Sequence, residues 1–341
     1  MHLLRKYFFL LFIVLICLPF TSFKSVQQTA QEPLLFKPTT FYVTEILDQG
    51  AGKDMETAIL IRFIKNNLSK DLSLKPVVVE IKELTIRETT TKTGVVEGQI
   101  KMQLSFSLKE EDEKKHLMNY SGGMRYSGPA SNTSVIDKNL KHLGKSALEY
   151  FNTWMNNNIH TNRILASKVK VSFEYYKEQT EGDTIYYATN RPLTWPDFQS
   201  TRKMSNKYAA MVMPNIGYDQ HEEIAKGVIQ VTIILKTYLA KSDCWLSGPY
   251  KDDYMLNHEQ RHFDIAKIVT EQFRKKIGSA KLTPDTYEAF INMQYLDSYR
   301  EMNKLQKDYD TGTAHGTNRM AQQNWNKRID DLLLSKTIPG A

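Results

Sequence analysis

Two histidines and a glutamate at fixed spacing, in His258-Glu259-Gln260-Arg261-His262, carry the most definite chemistry in this sequence. On an α-helix, residues four apart lie on one face, a turn apart. His258 and His262 can therefore offer two imidazole nitrogens to one tetrahedral Zn²⁺, with Glu259 beside an open coordination position. A water in that position has its pKa lowered towards roughly 7, and Glu259 could take its proton. That is the chemistry of a hydrolytic centre of the peptidase type.

A catalytic zinc needs a third protein ligand and an open position. No third histidine follows on the same helix through a glycine turn, so the ligand must come from later in the chain. Glu301 lies on the next expected helix, where a carboxylate could complete a two-histidine, one-glutamate site. Asp310 and His315 lie in Tyr309-Asp310-Thr311-Gly312-Thr313-Ala314-His315-Gly316, which reads as a loop between two helices. His315 is the preferred candidate, because a histidine before a glycine at a helix entrance is well placed to point inward. The hydroxyl of Tyr309 could help stabilise an oxyanion, and Asp264 or Asp310 could orient a ligand imidazole.

The helix that must present these groups is readable. Leu256, Phe263, Ile265, Ala266, Ile268, Val269, Phe273 and Ile277 form a broad apolar surface over an expected helix at 252–278. A helix this apolar is at least half buried, so its His-Glu-His group faces a cleft, whereas two solvated histidines would need a more polar helix.

Around it the chain reads as α+β. A strand at 40–46 precedes a helix at 55–68, then come strands near 77–86 and 100–108, the first with a phase shift that suggests a bulge. Ser121–Asn132 reads as a glycine-containing loop, and Val135 to Trp154 as a long amphipathic helix ending near Asn156–Asn158. Val169 to Tyr175 alternates as the last strand of the first half. Strands follow at 184–188 and 228–239, with an irregular Arg191–Phe198 segment between them that looks pinned by two prolines and packed through Trp195 and Phe198. Helices at 283–307 and 317–334 close the chain. The first half holds His116, His142 and His160 without a ligand cluster, so it reads as a binding or positioning module.

Composition fits this plan. The 341 residues are 41% hydrophobic and 24% charged, enough for two cored domains. The net charge is +7, of which Arg5, Lys6 and Lys24 contribute three, and the remaining +4 forms no basic run, which removes support for nucleic-acid binding. Arg5 and Lys6 precede an apolar run from Tyr7 to Phe20 that Pro19 breaks, so 1–24 reads as a signal peptide, followed by a polar linker at 25–38. An uncleaved anchor or a lipid on Cys17 is the lesser alternative. Once Cys17 leaves, Cys244 stands alone and no intramolecular disulfide can form, which suits a periplasmic, cell-surface or secreted protein with ordinary cores. Cys244 itself reads as a packed small hydrophobe.

Four stretches together carry a resemblance. They are Leu193-Thr194-Trp195-Pro196-Asp197-Phe198, Ser242 to Trp245, His258 to Ile265, and Tyr309-Asp310 through His315-Gly316 with Gln322 and Trp325 following. Over roughly 170–336 the chain resembles a bacterial family of exported proteins whose motif predicts zinc-dependent proteases. The insertion of Asp243-Cys244 between Ser242 and Trp245 departs from that family's pattern at the cleft wall. The resemblance implies a zincin-like domain with Zn²⁺ held by His258, His262 and His315. More loosely, 39–165 resembles a module that precedes such domains in exported proteins of Bacteroidetes-type bacteria. The expected function is an exported zinc metallopeptidase with Glu259 as general base, acting on peptide, protein or cell-wall peptide. Its rival is a non-catalytic envelope protein with a structural or vestigial metal, whose first half binds an envelope partner.

Overall fold

Parallel strands cannot be joined by a tight turn, and the chain meets that demand at once. In the computed structural model, which describes residues 37–49, 55–67, 71–111, 113–129, 133–201, 208–249 and 251–336, β1 (Phe41–Asp48) lies parallel to β2 (Lys75–Thr90). Helix α1 (Met55–Asn66) makes the crossover. β3 (Val95–Lys109) and β4 (Lys114–Pro129) then add antiparallel, giving the order β1-β2-β3-β4. The expected signal peptide at 1–24 lies outside the described residues.

Alternation decides which face of this sheet is covered. Ile100, Met102, Leu104 and Phe106 of β3 are buried, together with Leu60 and Ile64 of α1 and Leu140, Ala147 and Phe151 of α2 (Thr133–Asn158). The Phe106 and Phe151 rings stack with centroids 4.1 Å apart. The phase shift in β2 is a register irregularity between Ile81 and Glu83, which lets both Ile81 and Leu84 be buried. The expected Ser121–Asn132 loop is instead strand as far as Pro129. Glycines that read as turn signals there sit in close packing: a Cβ on Gly122 would lie 2.8 Å from the Tyr120 ring, and one on Gly123 would lie 2.9 Å from the Ile100 carbonyl oxygen.

A second sheet is centred on β9 (Val228–Ala240). β5 (Lys168–Tyr175) runs parallel to its first part and β6 (Thr184–Tyr186) antiparallel to its end, while β8 (Asn215–Ala225) covers the opposite edge antiparallel. β5, which read as the last strand of the first half, thus pairs here. β8 escaped the sequence reading because its Gly-Tyr-Asp-Gln-His-Glu-Glu core is polar and only half buried. A two-stranded ribbon pairs β7 (Ala210–Met211) with β10 (Trp245–Leu246).

Three helices complete the chain: α3 (Asp253–Gly278), α4 (Tyr287–Thr313) and α5 (Arg319–Lys336). Ile229, Val231, Ile233 and Leu235 of β9 pack against Phe273 and Ile277 of α3 and Tyr287 and Ile291 of α4. Thr237 and Thr270 pair their hydroxyls at 2.7 Å in this apolar layer, which satisfies two polar groups that burial would otherwise penalise. Asp252 caps α3 by accepting from the Met255 amide at 2.7 Å, and Lys275 and Lys276 sit in its last turn, where cations suit the helix dipole. Cys244 is 1% exposed, and burial pushes its thiol up to about 12; it packs as a small hydrophobe.

Helix α4 runs six residues past its expected end at Lys307. The Asp310-Thr311-Gly312-Thr313 run has poor helix propensity, but tertiary contacts override it. Tyr309 is fully buried, and the Thr313 hydroxyl donates to the Tyr309 carbonyl at 2.9 Å. Ala314 closes the helix in the left-handed conformation at φ 51°. At Gly312 the indole of Trp325 comes so near that a Cβ would meet its Nε1 at 2.7 Å. Gly312→Val is therefore expected to force α4 and α5 apart and lower stability by about 1–3 kcal/mol, seen as a lower urea midpoint with an unchanged slope. Among the described residues no helix is long and apolar enough to cross a membrane.

Candidate metal centre

His258 and His262 project from α3 towards Asp310, one turn before the end of α4. The Nε2 atoms of His258 and His262 lie 3.3 and 3.0 Å from Asp310 Oδ1. Among the described residues these three form the one group of potential ligands whose donor atoms all lie within 4.8 Å of one another. Tetrahedral bonds of about 2.0–2.1 Å place neighbouring ligand atoms roughly 3.3 Å apart, a separation that the two histidine–Asp310 distances match.

The far side of each imidazole fixes which nitrogen is available. Gln306 donates from Nε2 to the His262 backbone carbonyl at 2.9 Å, so its oxygen must be the atom that faces His262 Nδ1, at 2.5 Å. Gln322 donates from Nε2 to the Tyr309 hydroxyl at 2.5 Å and to Asn326 Oδ1 at 2.8 Å. Its oxygen then accepts from His258 Nδ1 at 2.9 Å. Both Nδ1 atoms are thereby donors, and in the neutral imidazoles both Nε2 atoms are acceptors. Two acceptor nitrogens and a carboxylate oxygen converge on one point, an arrangement that only a cation or extra protons can hold.

The charges agree. Burial alone would raise the Asp310 carboxyl, but its contacts with His258 and His262 hold it well below the usual carboxylate range. For His262 burial opposes the charged ring, and Asp310 and Glu259 outweigh it, raising its pKa. Glu259 is 5% exposed, and burial raises its carboxyl in spite of the nearby histidines. Its Oε2 accepts from the Val212 amide at 3.0 Å, so the residue just after β7 anchors it.

His315 and Glu301 are placed differently. His315 has 44% of its side chain exposed, with Nδ1 3.5 Å from Asp310 Oδ2 and Nε2 3.5 Å from the Tyr208 hydroxyl. It lies beside the convergent group and is not one of its three members. Glu301 points elsewhere and pairs with Lys276 at 2.8 Å. Asp310 sits on helix and not in a loop, which is why its side chain reaches the α3 histidines.

Two expected supporting roles also change. Tyr309 is stacked on His258 with ring centroids 4.8 Å apart, and its hydroxyl donates to the His258 carbonyl at 3.3 Å while accepting from Gln322. It braces the helix and has no free hydroxyl for an oxyanion. Asp264 accepts from Tyr187, Gln260 and Arg261 and contacts neither histidine. Gln260 also accepts from the Leu193 amide at 2.8 Å, tying the irregular segment to α3. In that segment Leu193 and Asp197 are the buried residues. Asp197 takes both ends of the Arg191 guanidinium, at 2.7 and 3.0 Å, while Trp195 and Phe198 stay half-buried.

Gln306 and Gln322 were missed as orienting residues, although Gln322 follows the Tyr309–Gly316 stretch closely in sequence. Gly316 belongs with them: at φ 76° its backbone lies against the His258 ring, and a Cβ would meet that ring at 3.2 Å. Replacing an orienting partner of a metal-bound histidine typically costs 10–100-fold in affinity. Gln306→Leu and Gln322→Leu are each expected to weaken zinc binding by about that factor, measured by competition with a chromogenic chelator.

Comparisons with known proteins add little. No family model matches the chain, and no curated protein matches it. Among solved structures, a minor lipoprotein from Acinetobacter baumannii aligns with 34% of this chain and 94% of its own, at 13% identity and TM-score 0.25. The rare lipoprotein B from Shewanella oneidensis aligns with 34% of this chain and 100% of its own, at 12% identity and TM-score 0.23. Likenesses at these scores carry no argument about fold or activity.

Proposed function

We infer that this chain is an exported zinc-dependent metallohydrolase, most simply a peptidase, with Zn²⁺ held by His258, His262 and Asp310. One observation supports the reading: the glutamine contacts commit both Nδ1 atoms as donors, so neutral imidazoles turn their Nε2 lone pairs toward the Asp310 carboxylate, a repulsion that a bound cation relieves. A zinc ion bound there supplies Lewis acidity, lowering the pKa of a water and polarising a carbonyl. Three protein donors leave the open position that catalysis needs.

The residues then divide the work. Gln306 and Gln322 hold the imidazoles in the binding tautomer. Glu259, next to His258 on the same turn, takes the proton of the attacking water and returns it to the leaving amine as the C–N bond breaks. Its burial favours this, because a carboxyl with raised pKa is a better match to proton transfer near neutrality. The Val212 amide keeps the carboxylate from turning away. The zincin-like character of 170–336 rests on the motif and the resemblance, and export rests on the pattern of 1–24.

Removing the metal tests the reading. Zinc-loaded protein should cleave an unfolded protein such as casein, lose that activity on treatment with 1,10-phenanthroline, and regain it when zinc is restored. Activity indifferent to the chelator would remove the zinc from the mechanism.

A further inference from the structure

Asp310 has two oxygens, and the structure gives them different neighbours. Oδ1 faces the Nε2 atoms of His258 and His262, while Oδ2 faces His315 Nδ1 at 3.5 Å. On the other side of the His315 ring, Nε2 faces the Tyr208 hydroxyl at 3.5 Å, and the two rings lie 4.5 Å apart. His315 thus spans from the outer oxygen of Asp310 to Tyr208, four residues before Val212.

The 208–212 segment also reaches Glu259. The Ala209 carbonyl accepts from the Ser247 amide at 2.6 Å, Ala210–Met211 pairs with Trp245–Leu246, and the Val212 amide donates to Glu259 Oε2 at 3.0 Å. Within five residues, one wall of the site holds the general base at one end and, through His315, the metal carboxylate at the other. The backbone is shaped for this. Ala314, His315 and Gly316 are successive left-handed residues with φ of 51°, 52° and 76°, and the His315 amide donates to the Asp310 carbonyl at 2.7 Å. The left-handed region is uncommon for histidine, so three such residues in a row mark a turn fixed by its surroundings. It sets the His315 ring beside Asp310.

We propose that His315 is a positioning residue for Asp310, not a metal ligand: it fixes Oδ2 so that Oδ1 is presented to the metal, and Tyr208 braces it. This rests on the three-donor metal centre above. The nitrogens of His315 are turned to Oδ2 and to Tyr208, and its ring is 44% exposed. Leaving it out of the ligand set keeps the open position for substrate.

Titration of the full mature chain with Co²⁺, followed by its d–d absorption, separates the alternatives. His315→Ala is expected to keep about one Co²⁺ per chain with affinity lowered roughly 10–100-fold, the range for losing a partner of a ligand. His315→Gln, whose amide can donate to Oδ2, should recover part of that loss. Tyr208→Phe should weaken binding less, and adding it to His315→Ala should cost nothing further. Loss of stoichiometric Co²⁺ in His315→Ala, with unchanged circular dichroism, would overturn the proposal by making His315 a ligand. Unchanged affinity would overturn it by making His315 idle. Failure of the wild-type chain to bind Co²⁺ would instead overturn the metal centre itself, so the two ideas fail by different results.

Discussion

Glu259→Gln is expected to abolish hydrolysis while leaving zinc in place. General acid–base groups contribute about 10²–10⁴-fold to rate, and the variant should lose at least that much of kcat. The substitution is close to neutral for the fold. The amide oxygen of glutamine can accept from the Val212 amide as Glu259 Oε2 does at 3.0 Å, and it removes a carboxyl that burial already disfavours in its charged form. Metal content should not change, because Glu259 is outside the donor group. Side-by-side measurement of zinc and peptide hydrolysis settles the assignment. A variant that keeps both zinc and full activity would remove Glu259 from the mechanism, and a wild type that binds zinc but cleaves nothing would favour the non-catalytic envelope protein.

Asp310→Ala has the second large effect, on metal affinity. Structural zinc sites with four protein ligands bind with roughly 10–16 kcal/mol, so one ligand is worth about 3–4 kcal/mol, or on the order of 10²–10³-fold. That exceeds the roughly 10–100-fold expected for Gln306, Gln322 or His315, which act on ligands from outside. Glu301→Ala is the matched control. Glu301 has half of its side chain exposed and pairs with Lys276, so its removal should leave affinity unchanged. Isothermal titration of metal-free protein with zinc gives both numbers. Equal losses for the two variants would indicate general destabilisation of α4 and not a ligand.

Why the sequence led to some of this and not the rest is physical. His258, Glu259 and His262 were legible because helical spacing alone brings them together, and the apolar face of α3 told which side was buried. The β2 bulge was legible because alternation has a strict period of two. Asp310 was harder to rank, since Asp-Thr-Gly-Thr has the composition of a helix end, whereas the buried Tyr309 and the Gly312–Trp325 approach carry α4 beyond it. The glycines of β4 misled for a related reason: a glycine that admits a tyrosine ring and a glycine that admits a turn look alike in a sequence. Gln306 and Gln322 could not be found by spacing, because their role arises only when α3, α4 and α5 pack. His315 carries the right residue type in the right neighbourhood: its Nδ1 lies 3.5 Å from Asp310 Oδ2, beside the three-donor group and not within it.

The zinc content of the purified mature chain tests the central claim most directly. After dialysis against zinc and removal of loosely held ions, elemental analysis should find about one zinc per chain, reduced to background in a His258→Ala, His262→Ala double variant that keeps its circular dichroism. Retention of no zinc by the folded wild-type chain, or equal zinc in the double variant, would contradict the account.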